Sequence, residues 1–325
     1  MTHLEMVRSL PGLRIAVLGD LMMDEYVWGD AKRVSPESPV LVVTVDRDTS
    51  VPGGAANVAS NVISLGGKAH VFGVVGDDAK GMELIEALAR QGAGTDGVVT
   101  TTDRPTTSKA RVIAQNQQVL RIDRESSRSL PLDVADRLAG HFRDGLGRWD
   151  AILISDYAKG VVCPEIVPAV IQGAKKSGIP IVANGKPANA ACFLGADVLS
   201  FNLSEALAAS GDPRFETDDI RDAGADLRRR LDVGTLVVTR GRQGVMAWTE
   251  SSIESVPARQ VEVFDVAGAG DTVIATLCLS IVAGASLAGA LELANIAASV
   301  VVGKVGVAPV TTHDLERALA STSPN

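Results

Sequence analysis

A run of small residues beside an aspartate, at 265 to 272, is the clearest sign of chemistry in this chain. Residues 267–270 are Ala-Gly-Ala-Gly, and a long apolar stretch follows Asp271. Small side chains let backbone N–H groups converge at a helix start, where the helix dipole helps them bind phosphate oxygens. A carboxylate there repels phosphate, so Asp271 suits a base that deprotonates a hydroxyl attacking a bound phosphoryl group. A glycine-rich turn with an Asp helix cap is the alternative interpretation.

Two further segments carry residue types that suit a sugar. Gly53 and Gly54 are adjacent, so a substrate can approach the backbone closely, and Asn57 offers both a donor and an acceptor to neighbouring hydroxyls. Asp24 lies just beyond the first predicted strand, and open α/β sheets bind ligands at the carboxyl ends of their strands. A loop-to-helix turn at 51–59 and a surface acid at 24 are the alternatives.

The segments expected to contact a nucleotide are weak signals individually. Asn202 and Glu205 share one face of a helix start and could organise Mg²⁺ and phosphates through oxygen ligands. An N-cap with its capping-box partner explains the same pair. Residues 239–244, Thr-Arg-Gly-Arg-Gln-Gly, could wrap a triphosphate. They lack the lysine and spacing of a P-loop, and no G-x-G-x-x-G follows the first predicted strand, so P-loop and Rossmann dehydrogenase functions are disfavoured.

Composition disfavours several classes of partner. The chain has 325 residues, a formal net charge of −8 and a pI near 5.1, so we expect no nucleic-acid or membrane partner. Three cysteines without metal-ligand spacing indicate free thiols in a reducing compartment, and we expect a cytoplasmic protein. The histidines are scattered, which argues against a histidine metal site or a catalytic triad.

One uncharged run, 272–291, is long enough to span a bilayer. Gly284, Ser286 and Gly289 interrupt it. Two buried helices, the second capped by Ser286, therefore explain the run better than a membrane span.

Short Val- and Ile-rich runs alternate with amphipathic stretches, which predicts a mostly parallel sheet with helices on both faces, in one domain over 1–325. The predicted strands are Arg14–Gly19, His70–Val75, Ala151–Ser155, Pro180–Ala183, Asp197–Ser200 and Thr235–Thr239. The predicted helices between them include Ala55–Leu65, Met82–Gln91, Cys163–Ser177 and Asp219–Leu231.

Two regions break this alternation. Pro39–Val45 and Ser108–Arg121 have the mixed polarity of strands outside a core, the second with a hairpin around 115–117. We expect segments at approximately 33–48 and 105–124 to form a small accessory sheet that acts as a lid or a dimer face. Surface β-structure without a function is the alternative.

The order of these motifs resembles that of the PfkB/ribokinase family of sugar kinases. Gly53–Asn57 comes early, Asn202–Glu205 in the middle and Asp265–Asp271 late, and the resemblance covers about residues 12 to 318. It implies a ribokinase-like, three-layer α/β/α, Rossmann-like fold with a mostly parallel sheet and a small β-lid that mediates a homodimer. It also implies phosphorylation of a hydroxyl by ATP and Mg²⁺.

Some stretches are similar, within this family, to the bacterial D-glycero-β-D-manno-heptose-7-phosphate kinases of lipopolysaccharide core synthesis. These stretches are Gly19–Asp24 with Trp28-Gly29, Arg33–Val40, Asn116–Gln118 with Arg121–Asp123, and Ser155–Val161. Many such kinases are fused to an adenylyltransferase, and we expect a stand-alone kinase here. A PfkB-type kinase of ribose, fructose phosphate or a nucleoside, and a non-catalytic sugar- or nucleotide-binding protein, remain alternatives.

The resemblance also implies a role for each candidate residue. The base is Asp271, and the anion hole consists of the backbone of Gly268, Ala269, Gly270 and Asp271. The residues implied to hold sugar hydroxyls are Asp24, Gly53, Gly54, Asn57 and Asp156. The residues implied to organise phosphates and water-bound Mg²⁺ are Asn184, Lys186, Asn202 and Glu205. Those implied to line the nucleotide are Thr239, Gly241 and Gly244, with Asn295 near the adenine.

Cations must bind the 7-phosphate at the far end of such a substrate. The candidates, chosen by position, are Lys109, Arg111, Arg121, Lys159 and Lys186, and each is alternatively a solvated surface charge. Activation by K⁺, through carbonyls near the anion hole and near Gly303–Val307, stays open. Two residues depart from the family pattern: Ala267 replaces a usual Thr, and Gly185 replaces the Pro of an Asp-Pro-Lys triplet.

Overall fold

A nine-stranded sheet forms the centre of the protein in the computed structural model, which describes residues 1–115, 117–126, 128–217, 219–304 and 309–321. Strands and helices are numbered along the chain. The sheet order is β13-β12-β11-β10-β9-β8-β1-β4-β5, with antiparallel pairing only at β11-β12-β13. Its strands are β1 (Arg14–Gly19), β4 (Lys68–Gly76), β5 (Gly94–Thr101), β8 (Ala151–Ser155), β9 (Ile181–Asn184), β10 (Val198–Asn202), β11 (Thr235–Thr239), β12 (Val245–Trp248) and β13 (Ile253–Val256).

Helices cover both faces of this sheet and give the protein three layers. Side chains alternate between the faces, so Ile15 and Val17 of β1 join one core cluster and Ala16 and Leu18 the other. On the first face pack α1 (His3–Ser9), α2 (Ala55–Ser64), α3 (Ala79–Arg90), α8 (Ala269–Val282), α9 (Leu287–Val302) and α10 (Thr312–Ala320). On the second pack α4 (Leu132–Gly145), α5 (Val167–Ser177), α6 (Leu203–Ser210) and α7 (Ile220–Arg230). The predicted α/β fold class is confirmed.

A second sheet of four strands stands beside the first, in the order β3-β2-β6-β7. Its strands are β2 (Leu21–Val34), β3 (Leu41–Gly54), β6 (Thr107–Ala114) and β7 (Gln117–Arg124). Asp20 alone separates β1 from β2, and β3 passes directly into α2 at Ala55. The second sheet is therefore joined to the first at the carboxyl end of β1.

The predicted strands and helices are all present, and the differences have local causes. The helix predicted from Cys163 begins at Val167, because Pro168 is favoured in a first helical turn. Of the accessory segments, 33–48 is too short as predicted, since β2 begins at Leu21 and β3 ends at Gly54, whereas 105–124 contains both β6 and β7. Of the hairpin around 115–117, Asn116 lies outside the described residues.

The uncharged run at 272–291 is two helices, as predicted. Gly284 has φ +85°, a conformation that ends α8, and Ser286 Oγ caps α9 by accepting the Gly289 N–H at 3.3 Å. Among the described residues, no helix combines the length and apolar character that a bilayer crossing requires.

Candidate active site

Asp271 is the third residue of α8, and the chain enters this helix through a tight turn. Gly268 adopts φ +76°, a left-handed conformation that costs glycine little. The Ala267 N–H donates to Asp265 Oδ1 at 2.9 Å, and the Ala269 N–H donates weakly to the Val266 carbonyl at 3.3 Å. Within the described chain, the N–H groups of 268, 270 and 271 have no acceptor. The predicted anion hole thus has three free donors at a helix N-terminus.

The Asp271 carboxylate is buried, with 6% of the residue exposed, and both of its oxygens accept hydrogen bonds. Asn57 Nδ2 donates to Oδ2 at 2.6 Å, and the Tyr157 hydroxyl donates to Oδ1. The pKa of Asp271 is raised to about 6, mainly by burial and also by the negative charge of Asp24. The hydrogen bonds from Tyr157 and Asn57 oppose this rise. The group is therefore ionised at neutral pH and close to the pKa range of an effective general base.

Asn57 is held in place by a polar contact between α2 and α8. Asn61 Nδ2 donates to the Asn57 carbonyl at 2.9 Å, and Asn61 Oδ1 accepts from Thr272 Oγ1 at 2.9 Å. All of these side chains are buried. The two helices thus fix the amide of Asn57 against the carboxylate of Asp271.

Tyr157 is the site residue that sequence reasoning missed. It directly follows β8 and Asp156, and Lys186 Nζ lies 5.5 Å from its ring centroid. Burial, and then the charge of Asp271, raises the pKa of the Tyr157 phenol well above its ordinary value, so the phenol stays protonated and donates. Tyrosine after a strand was visible within the motif 155–161. Its contact with a residue more than a hundred positions later was not.

Asp24 and Gly53 meet across β2 and β3, next to this carboxylate. A Cβ on Gly53 would lie 2.3 Å from Asp24 Oδ2, so glycine is what lets the acid lie there. Arg111 donates to Asp24 Oδ1 at 2.5 Å. Gly54 has φ +57°, and a Cβ there would lie 2.6 Å from the Asp20 carbonyl oxygen. The structure thus brings together four predicted sugar-binding residues: Asp24, Gly53, Gly54 and Asn57.

Asp156 requires a correction, because its carboxylate is occupied within the protein. The residue is fully buried, Oδ1 accepts the Ala158 N–H at 2.7 Å, and Oδ2 accepts the Lys186 N–H at 2.9 Å. Asn189 Nδ2 contacts both oxygens at 3.0 and 3.1 Å. Burial raises the pKa of Asp156 to about 6. We therefore assign Asp156 to ordering two loops rather than to holding a sugar.

Asp20 also orders the loop after β8, through hydrogen bonds that its carboxylate accepts from backbone N–H groups. Its Oδ2 accepts the N–H groups of Tyr157 and Lys159 at 2.8 and 3.0 Å, and its Oδ1 accepts that of Val161 at 3.0 Å. Burial raises the pKa of Asp20. Two buried acids therefore fix the segment that carries Tyr157.

Two of the predicted cations converge at the second sheet. Lys109 Nζ and Lys159 Nζ contact the two oxygens of Glu125, at 3.1 and 2.8 Å. Their side chains are 16% and 18% exposed. Arg121 is half-exposed and donates to Asp123, while Arg111 is committed to Asp24. The structure therefore separates Lys109 and Lys159 from the other candidates as a pair.

The predicted nucleotide residues lie at one edge of the large sheet. Asn184, Asn202 and Thr239 end the neighbouring strands β9, β10 and β11. The turn after β11 is closed by the Arg240 N–H, which donates to the Gly244 carbonyl at 2.7 Å. Gly241 and Gly244 have φ +55° and +85°, so both positions favour glycine.

Asn202 and Glu205 form the capping box that sequence analysis kept as an alternative. Asn202 Oδ1 accepts the Glu205 N–H at 2.8 Å, and Glu205 Oε2 accepts the Asn202 N–H at 2.8 Å. Glu205 Oε1 also pairs with Lys186. In the described ranges, no group of three or more His, Cys, Asp or Glu side chains could hold a metal ion.

Two peripheral predictions have different outcomes. Asn295 on α9 donates from Nδ2 to the Pro257 carbonyl at 2.7 Å, which fixes the segment after β13 against that helix. The carbonyls proposed for K⁺ near Gly303–Val307 fall largely outside the described residues, which omit 305–308.

The described fold agrees with comparisons to known proteins. The model of the pfkB family carbohydrate kinases matches residues 13–313, and the chain belongs to that family of carbohydrate kinases. It is 20% identical to phosphofructokinase-2 from Escherichia coli in complex with potassium, with a TM-score of 0.79, covering 96% of this chain and 99% of the other. It is 22% identical to Arabidopsis thaliana ribokinase complexed with ribose and ATP, with a TM-score of 0.73, covering 95% and 98%. The predicted ribokinase-like fold is confirmed.

Higher identity is found to curated proteins called "Bifunctional protein HldE". The chain is 40% identical to that of Pelobacter propionicus over 305 residues, covering 94% of this chain and 62% of the other. It is 42% identical to that of Geobacter metallireducens over 300 residues, covering 92% and 61%. The chain thus spans less than two thirds of the length of these relatives.

Proposed function

We propose that this carbohydrate kinase transfers the γ-phosphoryl group of ATP to the anomeric hydroxyl of D-glycero-β-D-manno-heptose 7-phosphate. The product would be the 1,7-bisphosphate, an intermediate of ADP-heptose and lipopolysaccharide core synthesis. The observation that carries the chemistry is the buried Asp271 carboxylate beside three free N–H groups. The choice of sugar is supported by the motif resemblance and by identity of about 40% to the HldE proteins, twice that to phosphofructokinase-2.

Asp271 would act as the general base. Each of its oxygens accepts one hydrogen bond and keeps a lone pair, so the carboxylate can accept the proton of the attacking hydroxyl without losing Asn57 or Tyr157. Because the transition state of phosphoryl transfer is loose, alignment contributes as much as basicity. Tyr157 and Asn57 would supply that alignment, and Asp24 would hold a neighbouring hydroxyl.

The free N–H groups of Gly268, Gly270 and Asp271 would bind the oxygens of the transferring group. A Cβ on Gly270 would meet no atom within 4 Å, so space for those oxygens lies beside the backbone. Donors fixed before the reaction stabilise developing charge without reorganisation. Ala267 is compatible with this role, since its own N–H is already bonded to Asp265 and the hole uses backbone donors.

The residues near Glu205 fit Mg²⁺ held through water rather than directly. Glu205 is committed to the capping box and to Lys186, and Mg²⁺ commonly keeps several waters and binds substrate phosphates. Bound with ATP, Mg²⁺ would neutralise phosphate charge. Asn184, Asn202 and Lys186 would orient the phosphates and waters, and Thr239, Gly241 and Gly244 would line the nucleotide, with Asn295 close to the adenine.

Lys109 and Lys159 would bind the 7-phosphate. Two ammonium groups already share one carboxylate, Glu125, so an anion is stabilised at this position. A phosphate with more charge and more acceptor oxygens would replace Glu125 there. The pair lies beside the second sheet, whereas the anion hole is at α8. A substrate that carries a phosphate at one end and reacts at the other requires two such separate positions.

The test is ADP release by the purified protein with MgATP and a panel of acceptors. The panel contains D-glycero-D-manno-heptose 7-phosphate, fructose 6-phosphate, ribose and adenosine, and Asp271→Asn is the control. We expect strong preference for the heptose phosphate, lost in the variant. Preference for another acceptor would refute the substrate and keep the chemistry, and ADP release unchanged in Asp271→Asn would refute the base.

We further propose a cytoplasmic homodimer that forms through the four-stranded sheet. All residues of its outer strand β7 are exposed, and they include Val119, Leu120 and Ile122. An exposed apolar edge strand is a surface that proteins usually cover.

A further inference from the structure

A cavity of about 710 Å³ opens beside the turn that follows β11. Its apolar floor includes Phe215, Ile220 and Met246, which belong to the core cluster under α6 and α7. Small-molecule sites commonly have about 300–1,000 Å³ and mostly apolar walls with a few polar groups. The volume of this cavity lies in that range, and polar side chains share its walls with the apolar floor.

Two guanidinium groups line the cavity, and in the described part of the chain neither pairs with a carboxylate. Arg221 lies in the first turn of α7, and Arg240 directly follows β11. Arg240 Nε is buried without a hydrogen-bond acceptor, and its terminal NH₂ group donates to the Gln243 carbonyl at 3.1 Å. Burial, and then repulsion from Arg221, lowers the pKa of Arg240. Two positive charges and a buried donor without an acceptor therefore lie at this position, where they would strongly stabilise a bound anion.

The cavity is separate from Asp271 and the anion hole. Helix α8, which carries Asp271, packs in the core cluster on the other face of the large sheet. Two segments of the proposed nucleotide site also border the cavity: the turn at 239–244 and the start of α6, where Leu203 lies between Asn202 and Glu205. Arg240 and Gln243 line the cavity, whereas Thr239, Gly241 and Gly244 are the residues proposed for the nucleotide. A ligand in the cavity would therefore lie next to the turn proposed for the nucleotide and contact Arg240 and Gln243 within it.

We propose that this cavity is a second binding site, for a small organic anion that joins one phosphate or carboxylate group to an apolar body. Arg221 and Arg240 bind the anionic group, and Phe215, Ile220 and Met246 contact the apolar part. The carboxylate of Glu216 also lines the cavity, so a ligand that is anionic at both ends fits poorly. This site does not depend on the identity of the sugar substrate.

Calorimetric titration with phenyl phosphate tests the proposal, because the probe combines an aromatic ring with one phosphate. The proteins are the wild type, Arg221→Gln, Arg221→Lys, Arg240→Gln and the control Arg242→Gln. Arg242 lies in the same turn and is exposed, but it is not among the cavity-lining residues. Titrations run with and without saturating MgADP, and benzyl alcohol serves as the uncharged probe.

We expect saturable binding of phenyl phosphate that persists with MgADP. Each of the two cavity variants should weaken it roughly tenfold or more, as loss of a charge-assisted hydrogen bond does. Arg242→Gln should bind like the wild type, and Arg221→Lys, which keeps the charge, should retain most of the affinity. Equal binding by all proteins, competition by ADP, equal affinity for benzyl alcohol, or no saturable binding to the wild type would each overturn the proposal.

Discussion

Replacing Tyr157 with Phe should shift the pH dependence of catalysis. The Tyr157 hydroxyl donates to the buried Asp271 carboxylate and stabilises its anionic form, so losing that donor raises the pKa of Asp271 above about 6. A hydrogen bond to a charged group is worth about 1.5–3 kcal/mol. At 1.36 kcal/mol per pKa unit, the expected rise is roughly one to two units.

The assay is the acid limb of the kcat/KM profile, which reports the free enzyme. Since the base must be ionised, activity is lost as the pH falls through the pKa of Asp271. The midpoint should therefore move from about 6 in the wild type to roughly 7–8 in Tyr157→Phe. Activity of the variant should recover substantially at higher pH, which a general folding defect would not produce.

The matched control is Tyr26→Phe, which removes the hydroxyl of the chain's other tyrosine. The ring of Tyr26 stacks on Trp28 at 5.8 Å in β2, and the donors to the Asp271 oxygens are Asn57 and Tyr157, so the control removes a hydroxyl without removing a donor to Asp271. Its acid limb should stay in place. An unshifted limb in Tyr157→Phe, or an equal shift in both variants, would refute the role given to the Tyr157 hydroxyl.

Four further outcomes are expected. Asp271→Asn should remove a pH dependence of the free energy of unfolding. A carboxyl with a folded pKa near 6 and an unfolded pKa near 3.8 destabilises the fold increasingly between those values, whereas an amide does not titrate; chemical denaturation with the same pH dependence in both proteins would contradict this. Gly53→Ala should displace Asp24, because the new Cβ would lie 2.3 Å from Asp24 Oδ2, and the KM for the sugar should rise in steady-state kinetics. An unchanged KM would show that Asp24 does not bind the sugar. Lys159→Ala should raise the KM of the heptose phosphate roughly tenfold or more. Lys32→Ala, which changes an exposed lysine of the second sheet, is the control and should leave this KM unchanged, and equal KM values in the two variants would reject Lys159 as the phosphate ligand. Leu120→Glu should convert the proposed dimer to a monomer in sedimentation velocity. Leu132→Glu changes an exposed leucine on α4 and should leave the dimer intact, and a monomeric wild type would refute the dimer proposal.

The sequence predicted the layers of the fold because their signals are local. Strand and helix periodicity placed β1, β8 and β11 within their observed limits, and the Ser286 cap divided α8 from α9. It did not predict β2, and it interpreted Asp24 only as a ligand residue just beyond β1. Asp24 lies within β2 and pairs with Arg111 of β6. Asp20, which lies between β1 and β2, accepts the Tyr157 N–H from the loop after β8. A polar residue inside a strand is explained only by a partner distant in sequence.

The same limit applies to the candidate site. Asp271, Asn57 and Asp24 were predicted from residue type and position after a strand or turn, and they do lie together. Asp156 was implied by the family resemblance alone, and its oxygens instead accept loop N–H groups. Whether a buried acid holds a ligand or a loop depends on where nearby N–H groups point, which the sequence does not record.

One loop, at 156–161, connects both ends of the proposed substrate. Asp20 accepts the N–H groups of Tyr157 and Lys159, so one buried carboxylate fixes the backbone of both residues. The Tyr157 side chain then reaches Asp271, and that of Lys159 reaches Glu125. The hydrogen bond from Tyr157 to Asp271 and the position of the Lys159 ammonium proposed for the phosphate thus depend on the same segment. A change at Asp20 should therefore impair the base and the binding of the distal phosphate together, although Asp20 contacts neither.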